Sequence, residues 1–454
     1  MLQGSVKNLA QDFIAFHRRY HSHFELQTKS VVVQAEQYAC GLIQAPKRNV
    51  ERMVEAVPEA VWHEQQHFTT YSPWDANGLM ARVARDANRL IGGQDDSFLL
   101  GDESGFSKKG EKSVGVARQW NGRLGKIDNC QVGVFTALAR QDRVTLIDTR
   151  LFLPEEWTND KERCHRAGVP EDRQQHRTKP ALLLEMVKHH RANGLQFAWT
   201  SVDALYGNDS AFLRGLDDEG EIFMADVQCK QRIYLDDPKP YRPRRKSKRG
   251  PKPTRLKARR KSIRVDRWVA KQPAAAWQTM NLRQTTKGEL TVQVLHRRVW
   301  LWDGKEERAR QWHLIVCEKT AETPQRKYSL SNAPHDRPLK RLAYMQSQRY
   351  WVERALQDAK SQAGLAEYQV RQWNGWHHHM AMCMLVQLFL LETKIKHANQ
   401  CPLLSCADVR RLLQSLLPRR DVTLAEVIRQ MMVRHKQRAA ATASHRKKRQ
   451  RKSV

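Results

Sequence analysis

The chain has 454 residues, 40% of them hydrophobic, which excludes a disordered chain and leaves room for two or three domains with a large core. Lys and Arg total 79 against 48 Asp and Glu, a formal net charge of +31. That imbalance repels itself at close range unless a polyanion offsets it, and nucleic acid is the obvious one. A membrane partner finds no support: there is no apolar run of spanning length, because Met380 to Leu391 is short and broken by Gln387, and no signal-peptide pattern. Eight scattered cysteines without a CxxC pair indicate free thiols in a reducing cytoplasm.

Residues 1–95 read as helical. Val6, Leu9, Phe13 and Phe16 form one apolar stripe, and Met53, Val54, Val57 and Val61 another, interrupted at Pro58. After Ser72-Pro-Trp-Asp75, where Asp75 suits an N-cap, Leu79, Met80, Val83, Ala87, Leu90 and Ile91 share a face. From Ser97 the period changes. Phe98-Leu-Leu-Gly-Asp102 reads as a strand ending in an acid, followed by strands over Val114–Gln119, Cys130–Leu138 and Val144–Asp148. A helix over Pro180–Ala192 precedes Leu195 to Asp203, again a strand ending in an acid. A helix over Ser210–Leu216 and a strand over Ile222–Val227 follow. Three antiparallel strands, then alternating helix and strand, predict a mixed α/β sheet with helices on its faces.

Residues 238–262 interrupt this with five prolines among dense Arg and Lys, an exposed segment suited to phosphates. Arg244, Arg245, Lys246, Lys248 and Arg249 are its candidate DNA contacts. Leu290–Leu295 and Arg298–Trp302 then read as a hairpin with Asp303-Gly304 as turn signal. Strands over Trp312–Cys317 and Lys327–Ser331, further helices and a basic tail complete the chain.

An acid on a late helix, Glu353, has Arg349 four residues before it and Lys360 seven after, all on one helical stripe. Alone, that is most simply a surface salt-bridge ladder. With Asp102 and Asp203 upstream it takes another meaning. Three carboxylates converging on one spot repel unless cations sit between them, and oxygen-only ligands without Cys or His suit Mg²⁺ better than Zn²⁺. Two such ions support in-line phosphoryl transfer. Asp148 is the chief decoy acid, with Asp226, Glu103 and Glu392 behind it. His377-His-His379 suits packing or phosphate contact better than metal.

The spacing Arg349, Glu353, Lys360 resembles the signature of DDE transposases of bacterial insertion sequences, in the branch with a Tyr-Arg-Glu-Lys pattern. The family tyrosine falls at Gln346 here, with Tyr344 and Tyr350 nearest. Leu100-Gly-Asp102-Glu-Ser-Gly-Phe-Ser-Lys-Lys-Gly110, Val202-Asp203-Ala-Leu-Tyr-Gly207, Gln66-His-Phe68, Ser72-Pro-Trp-Asp75 and Val370-Arg-Gln-Trp-Asn-Gly-Trp-His377 are also similar to this group, over about residues 48–380.

The resemblance implies an RNase H-like core split by a β-rich insertion. The expected division is 1–95 helical and DNA-binding; 96–235 catalytic core, first part; 236–335 basic and β-rich insertion; 336–400 core, second part; 401–454 C-terminal helices and tail. It implies Asp102, Asp203 and Glu353 as catalytic metal ligands for two Mg²⁺ ions, with Mn²⁺ able to substitute. It also implies Arg349 and Lys360 on DNA phosphates, and Trp300 or Trp302 stacking on a flipped base. The implied partners are double-stranded terminal inverted repeats and target DNA. The implied setting is a homodimer on DNA, in a bacterial cytoplasm and associated with the nucleoid. A non-catalytic DNA-binding derivative is the alternative, and a basic RNA-binding or structural protein a third reading that leaves the acids unexplained.

Overall fold

The computed structural model describes residues 7–122, 124–244, 253–285, 288–319 and 325–450. The chain folds as two units. One comprises residues 1–76, 360–370 and 374–454; the other comprises 77–359 and 371–373.

The first unit is helical. It opens with α1 (Leu9–Arg18), α2 (Val32–Gln44), α3 (Val50–Ala56) and α4 (Trp62–Thr70). The stripe expected from Leu9, Phe13 and Phe16 is buried, while Val6 lies outside the described residues. α3 stops at Ala56, two residues before the proline that cannot continue it.

The second unit is built on a ten-stranded mixed sheet. After α5 (Ala76–Ile91) come β1 (Ser97–Ser107), β2 (Ala117–Asn121), β3 (Lys126–Arg140) and β4 (Arg143–Leu151). Then follow α6 (Lys179–Ala192), β5 (Trp199–Val202), α7 (Ala204–Gly207), α8 (Ser210–Asp218) and β6 (Phe223–Val227). Four more strands, β7 (Gln278–Thr285), β8 (Gly288–Leu301), β9 (Arg310–Lys319) and β10 (Arg326–Ser331), precede α9 (Leu339–Ser347) and α10 (Tyr350–Gln362). The sheet order is β2-β3-β1-β5-β6-β10-β9-β8-β7, with β4 also on β3. β3 is antiparallel to β1 and β4, whereas β5 is parallel to β1 and to β6. This is an RNase H-like arrangement: an antiparallel meander, then parallel strands whose connections carry helices. The strands of the expected insertion extend this same sheet, because β10 pairs antiparallel with β6.

The chain then returns to the first unit through α11 (Trp373–Lys396), α12 (Cys406–Leu416) and α13 (Leu424–Gln450). α11 is buried almost throughout. Phe389 meets Phe13 and Phe16 edge-on at 5.0 and 5.1 Å. The His377-His-His379 run packs as expected. His378 stacks on Trp74 at 4.0 Å and bonds the carbonyls of Thr69 and Trp74, and His379 bonds the Tyr38 hydroxyl. A Ser405/Asp408 capping box starts α12. No described helix is long and apolar enough to cross a membrane.

Several strands differ from the sequence reading: the strand expected over Val114–Gln119 is Ala117–Asn121, and that over Leu195–Asp203 is only Trp199–Val202. β1 does not end at Asp102 but runs on to Ser107, since its pairing with β3 continues from Asp102↔Phe135 to Ser107↔Cys130. Leu290–Leu295 and Arg298–Trp302 are not separate strands; a single strand, β8, covers them and ends at Leu301. The residues between them, His296 and Arg297, carry no turn chemistry, and Asp303-Gly304 turns the chain into β9 instead.

Candidate active site

The acids meet because of strand register. β1 and β5 run parallel with Leu100 opposite Ser201, so Asp102 and Asp203 fall at the same level two residues on. β5 and β6 run parallel with Val202 opposite Ala225, which sets Asp226 level with Asp203. Three neighbouring strands thus present three aspartates in a row. β5 stops at Val202, and Asp203 becomes the N-cap of α7, its Oδ1 accepting from the Leu205 amide at 3.0 Å. Glycines let the backbone close round this row. A Cβ on Gly207 would lie 1.9 Å from the Asp226 carbonyl oxygen, so α7 can approach β6 only through glycine. A Cβ on Gly101 would meet Leu183 of α6 at 2.4 Å.

Arg349, between α9 and α10, enters this row. Its Nη2 donates to Asp102 Oδ2 at 3.2 Å and lies 3.9 Å from Asp203 Oδ2. The side chain is 8% exposed, and its Nε and Nη1 have no hydrogen-bond partner. A guanidinium carries five donors, so this one is under-satisfied where it sits. Burial works against its charge, but Asp102, Asp203, Asp226 and Glu353 together hold its pKa above the ordinary value. Burial pushes the Asp102 carboxyl up to about 6. Arg349 pulls it down, and Asp203 and Glu103 push it further up. Asp226 is raised by burial too, although Ser329 donates to it at 2.5 Å.

Glu353 lies one turn beyond Arg349 in the first turn of α10, exposed, and is within electrostatic reach of Arg349. Lys360 is in the last turn of the same helix. Among the described residues, Asp102, Asp203 and Glu353 do not close to within 4.8 Å of one another. Arg349 is buried on the aspartates, so a phosphate contact would require it to leave them.

The other acids sort themselves by partner. Asp148 is buried, and takes the Arg150 guanidinium at 2.5 Å and the Thr149 amide at 2.7 Å. Glu103, on the opposite face of β1 from Asp102, faces Lys179 at 3.5 Å. Glu392 is held by Arg19. Gln346, at the family tyrosine position, is buried and donates to Ser329 Oγ at 2.6 Å, which in turn donates to Asp226. Sequence reading set Asp226 aside. The signal that finds it is register, which the sequence does not print.

Trp300 and Trp302 are partly buried. Trp302 donates to the Glu306 carbonyl and lines a cleft of about 550 Å³ with Arg214, Lys230 and Arg232, whereas Trp300 does not line it. Arg244 is exposed; Arg245, Lys246, Lys248 and Arg249 lie outside the described residues.

Residues 21–289 match the family described as "DDE superfamily endonuclease", a span of more than half the chain. The chain belongs to that superfamily. This DDE endonuclease is also similar to a protein of Microchaete diplosiphon described as "Probable transposase for insertion sequence element IS701". The identity is 31% over 153 residues, 34% of this chain and 37% of that one. The chain thus aligns with well under half the length of that relative. The family match includes Asp102, Asp203 and Asp226 but stops before Arg349 and Glu353.

Endonucleases of this superfamily use divalent metal ions. The donor set fits such an ion: Asp102 and Asp203 offer only oxygen, and their crowded charge already draws in a cation, the Arg349 guanidinium.

The raised Asp102 pKa has a sign. A carboxyl near 3.8 when unfolded and near 6 when folded binds its proton more tightly in the folded state. It therefore costs stability at neutral pH, on the order of 2–3 kcal/mol, and this cost fades as pH falls from about 6 towards 4. In chelator, Asp102→Asn is expected to raise the melting temperature at pH 8, with the gain gone near pH 4. A loss of stability at pH 8 would show that attraction to Arg349 outweighs burial.

Proposed function

We propose that this DDE endonuclease is a transposase that cuts the ends of a mobile DNA element and joins them to target DNA. The supporting observation is the register-set meeting of Asp102 and Asp203 around a buried cation, with Glu353 one helical turn from that cation. Hard divalent ions, two Mg²⁺ with Mn²⁺ able to substitute, would be held by Asp102, Asp203 and Glu353, and would activate the attacking oxygen and stabilise the leaving one.

The chain's own residues supply the rest. Asp102, partly withdrawn from water, and Asp203, fixed as a helix cap, present oxygens from rigid elements. Gln346 and Ser329 hold Asp226 alongside. Arg349 keeps the acids from splaying, and its two unpartnered nitrogens suit the oxygens of a scissile phosphate once the aspartates have another counter-charge. Lys360 and the Arg- and Lys-rich run from Arg244 onward supply phosphate contacts, in keeping with a charge of +31. Trp302, beside a cleft lined with cations, is better placed than Trp300 to stack on a base. Terminal inverted repeats and target DNA are the partners of this reading, and a homodimer on DNA its assembly.

Incubated with DNA carrying the inverted repeats that flank its coding region, the protein is expected to nick at the repeat ends with Mg²⁺ or Mn²⁺ and not with chelator. Binding to those ends without any cutting under either ion would favour a non-catalytic DNA-binding derivative.

A further inference from the structure

The geometry points to a second metal site, in the helical unit, that shares no residue with the acidic row: we infer that His17, His21 and Glu36 hold a transition-metal ion of the Zn²⁺ class. His17 is in the last turn of α1, His21 follows it by one turn in a short 3-10 segment, and Glu36 is in α2. His21 Nε2 lies 3.0 Å from Glu36 Oε1, and His17 Nδ1 lies 3.8 Å from the same oxygen. One ligand atom from each of the three lies within 4.8 Å of the other two. Ligands around a tetrahedral Zn²⁺, at about 2.0–2.2 Å from the ion, sit roughly 3.3 Å apart. A small shift of the partly exposed His21 and Glu36 side chains towards His17 completes that geometry.

His17 is what distinguishes this cluster from a surface His–Glu pair. It is 1% exposed, and neither of its ring nitrogens has a hydrogen-bond partner. A buried imidazole normally finds at least one. Its ring is fixed: it stacks on Phe24 at 5.6 Å and 5°, and meets the His21 ring edge-on at 5.5 Å. One nitrogen faces Glu36 across 3.8 Å, too far for a hydrogen bond and suited to two bonds with an ion between. Side chains of His21 and Glu36 are 26% and 28% exposed, leaving a way in for the ion and room for a water as fourth ligand.

The donor chemistry selects the metal. Two imidazole nitrogens and one carboxylate are borderline ligands that suit Zn²⁺ and its neighbours, whereas Mg²⁺ and Ca²⁺ take oxygen. The ion clamps the end of α1 to α2, since all three ligands fall on those two helices and the turn between them. No step of DNA cleavage depends on it, and its fate is separate from that of the proposed transposase reading.

The test uses the full chain carrying Asp102→Asn, Asp203→Asn and Glu353→Gln together, so that the acidic row does not bind the probe. After stripping, the protein is titrated with Co²⁺ alone, and Zn²⁺ is then used to displace it. The expected result is one Co²⁺ per chain with visible absorption typical of a four-coordinate nitrogen–oxygen site, lost on adding one Zn²⁺. His21→Gln and Glu36→Gln, both at partly exposed positions, should each weaken binding by roughly 100-fold or more, at or beyond the upper end of losses seen for outer-shell changes. Zn²⁺ should raise the melting temperature of the parent chain and leave that of His21→Gln unmoved. Co²⁺ binding of equal strength in the parent, His21→Gln and Glu36→Gln would place the ion on other histidines and overturn the assignment. So would the absence of a one-to-one complex in the parent.

Discussion

Asp102→Asn, Asp203→Asn and Glu353→Gln are each expected to abolish strand cleavage, by about 10³-fold or more, while binding to terminal DNA survives. The size follows from what a divalent ion supplies to phosphoryl transfer, which an amide in place of a carboxylate no longer secures. Shape is kept in each exchange, so the loss reports charge rather than packing. Removing a negative charge beside phosphate should, if anything, tighten binding slightly. Asp148→Asn is the control. Its carboxylate is buried against Arg150 and the Thr149 amide, so it affects stability and leaves cleavage near the parent level when assayed well below the melting temperature. The informative comparison is Glu353, which lies outside the span of the family match and is exposed. If Glu353→Gln cuts normally while Asp226→Asn does not, the third ligand is Asp226 and the assignment on α10 is wrong. Gel separation of end-labelled DNA after a single-turnover incubation distinguishes the two.

The sequence carried the acids and the strands but not the geometry that joins them. Phe98–Asp102 and Leu195–Asp203 announce themselves as apolar runs meeting an acid, because buried parallel strands need no polar alternation. That Asp102, Asp203 and Asp226 lie level depends on two parallel registers, and register is a property of pairs of strands. Asp226 therefore looked like any acid near a strand end. Arg349 was legible as a cation one turn from Glu353, but not as a buried partner of Asp102, since helical spacing says nothing about what lies across from a helix. His17 and His21 sit four apart in plain view. What gives them interest is Glu36, brought close only by the turn after α1. Likewise Gln346 read as a missing tyrosine, and only packing shows it bonded through Ser329 to Asp226.

Replacing Arg349 should have the largest effect on stability. Arg349→Ala leaves Asp102 and Asp203 side by side without their buried counter-charge. Breaking a buried pair by removing one partner costs about 3–5 kcal/mol. The loss should be largest near pH 8 in chelator, above the range in which Asp102 titrates in the parent. Near pH 5 it should shrink, because Asp102, already titrating near 6 with the guanidinium present, takes up a proton more readily without it. Two further measurements separate electrostatics from lost packing. Adding Asp102→Asn to Arg349→Ala should recover part of the loss, a non-zero coupling in a double-mutant cycle. Millimolar Mg²⁺ should also recover part of it, because a divalent ion and the guanidinium answer the same crowded charge. Arg349→Lys, a point charge on a more flexible stem, should fall between parent and alanine. Denaturant unfolding of the parent, Asp102→Asn, Arg349→Ala, their double variant and Arg349→Lys, at two pH values and with or without Mg²⁺, decides the matter. An Arg349→Ala chain as stable as its parent at pH 8 in chelator would mean that the guanidinium is not what holds the aspartates together.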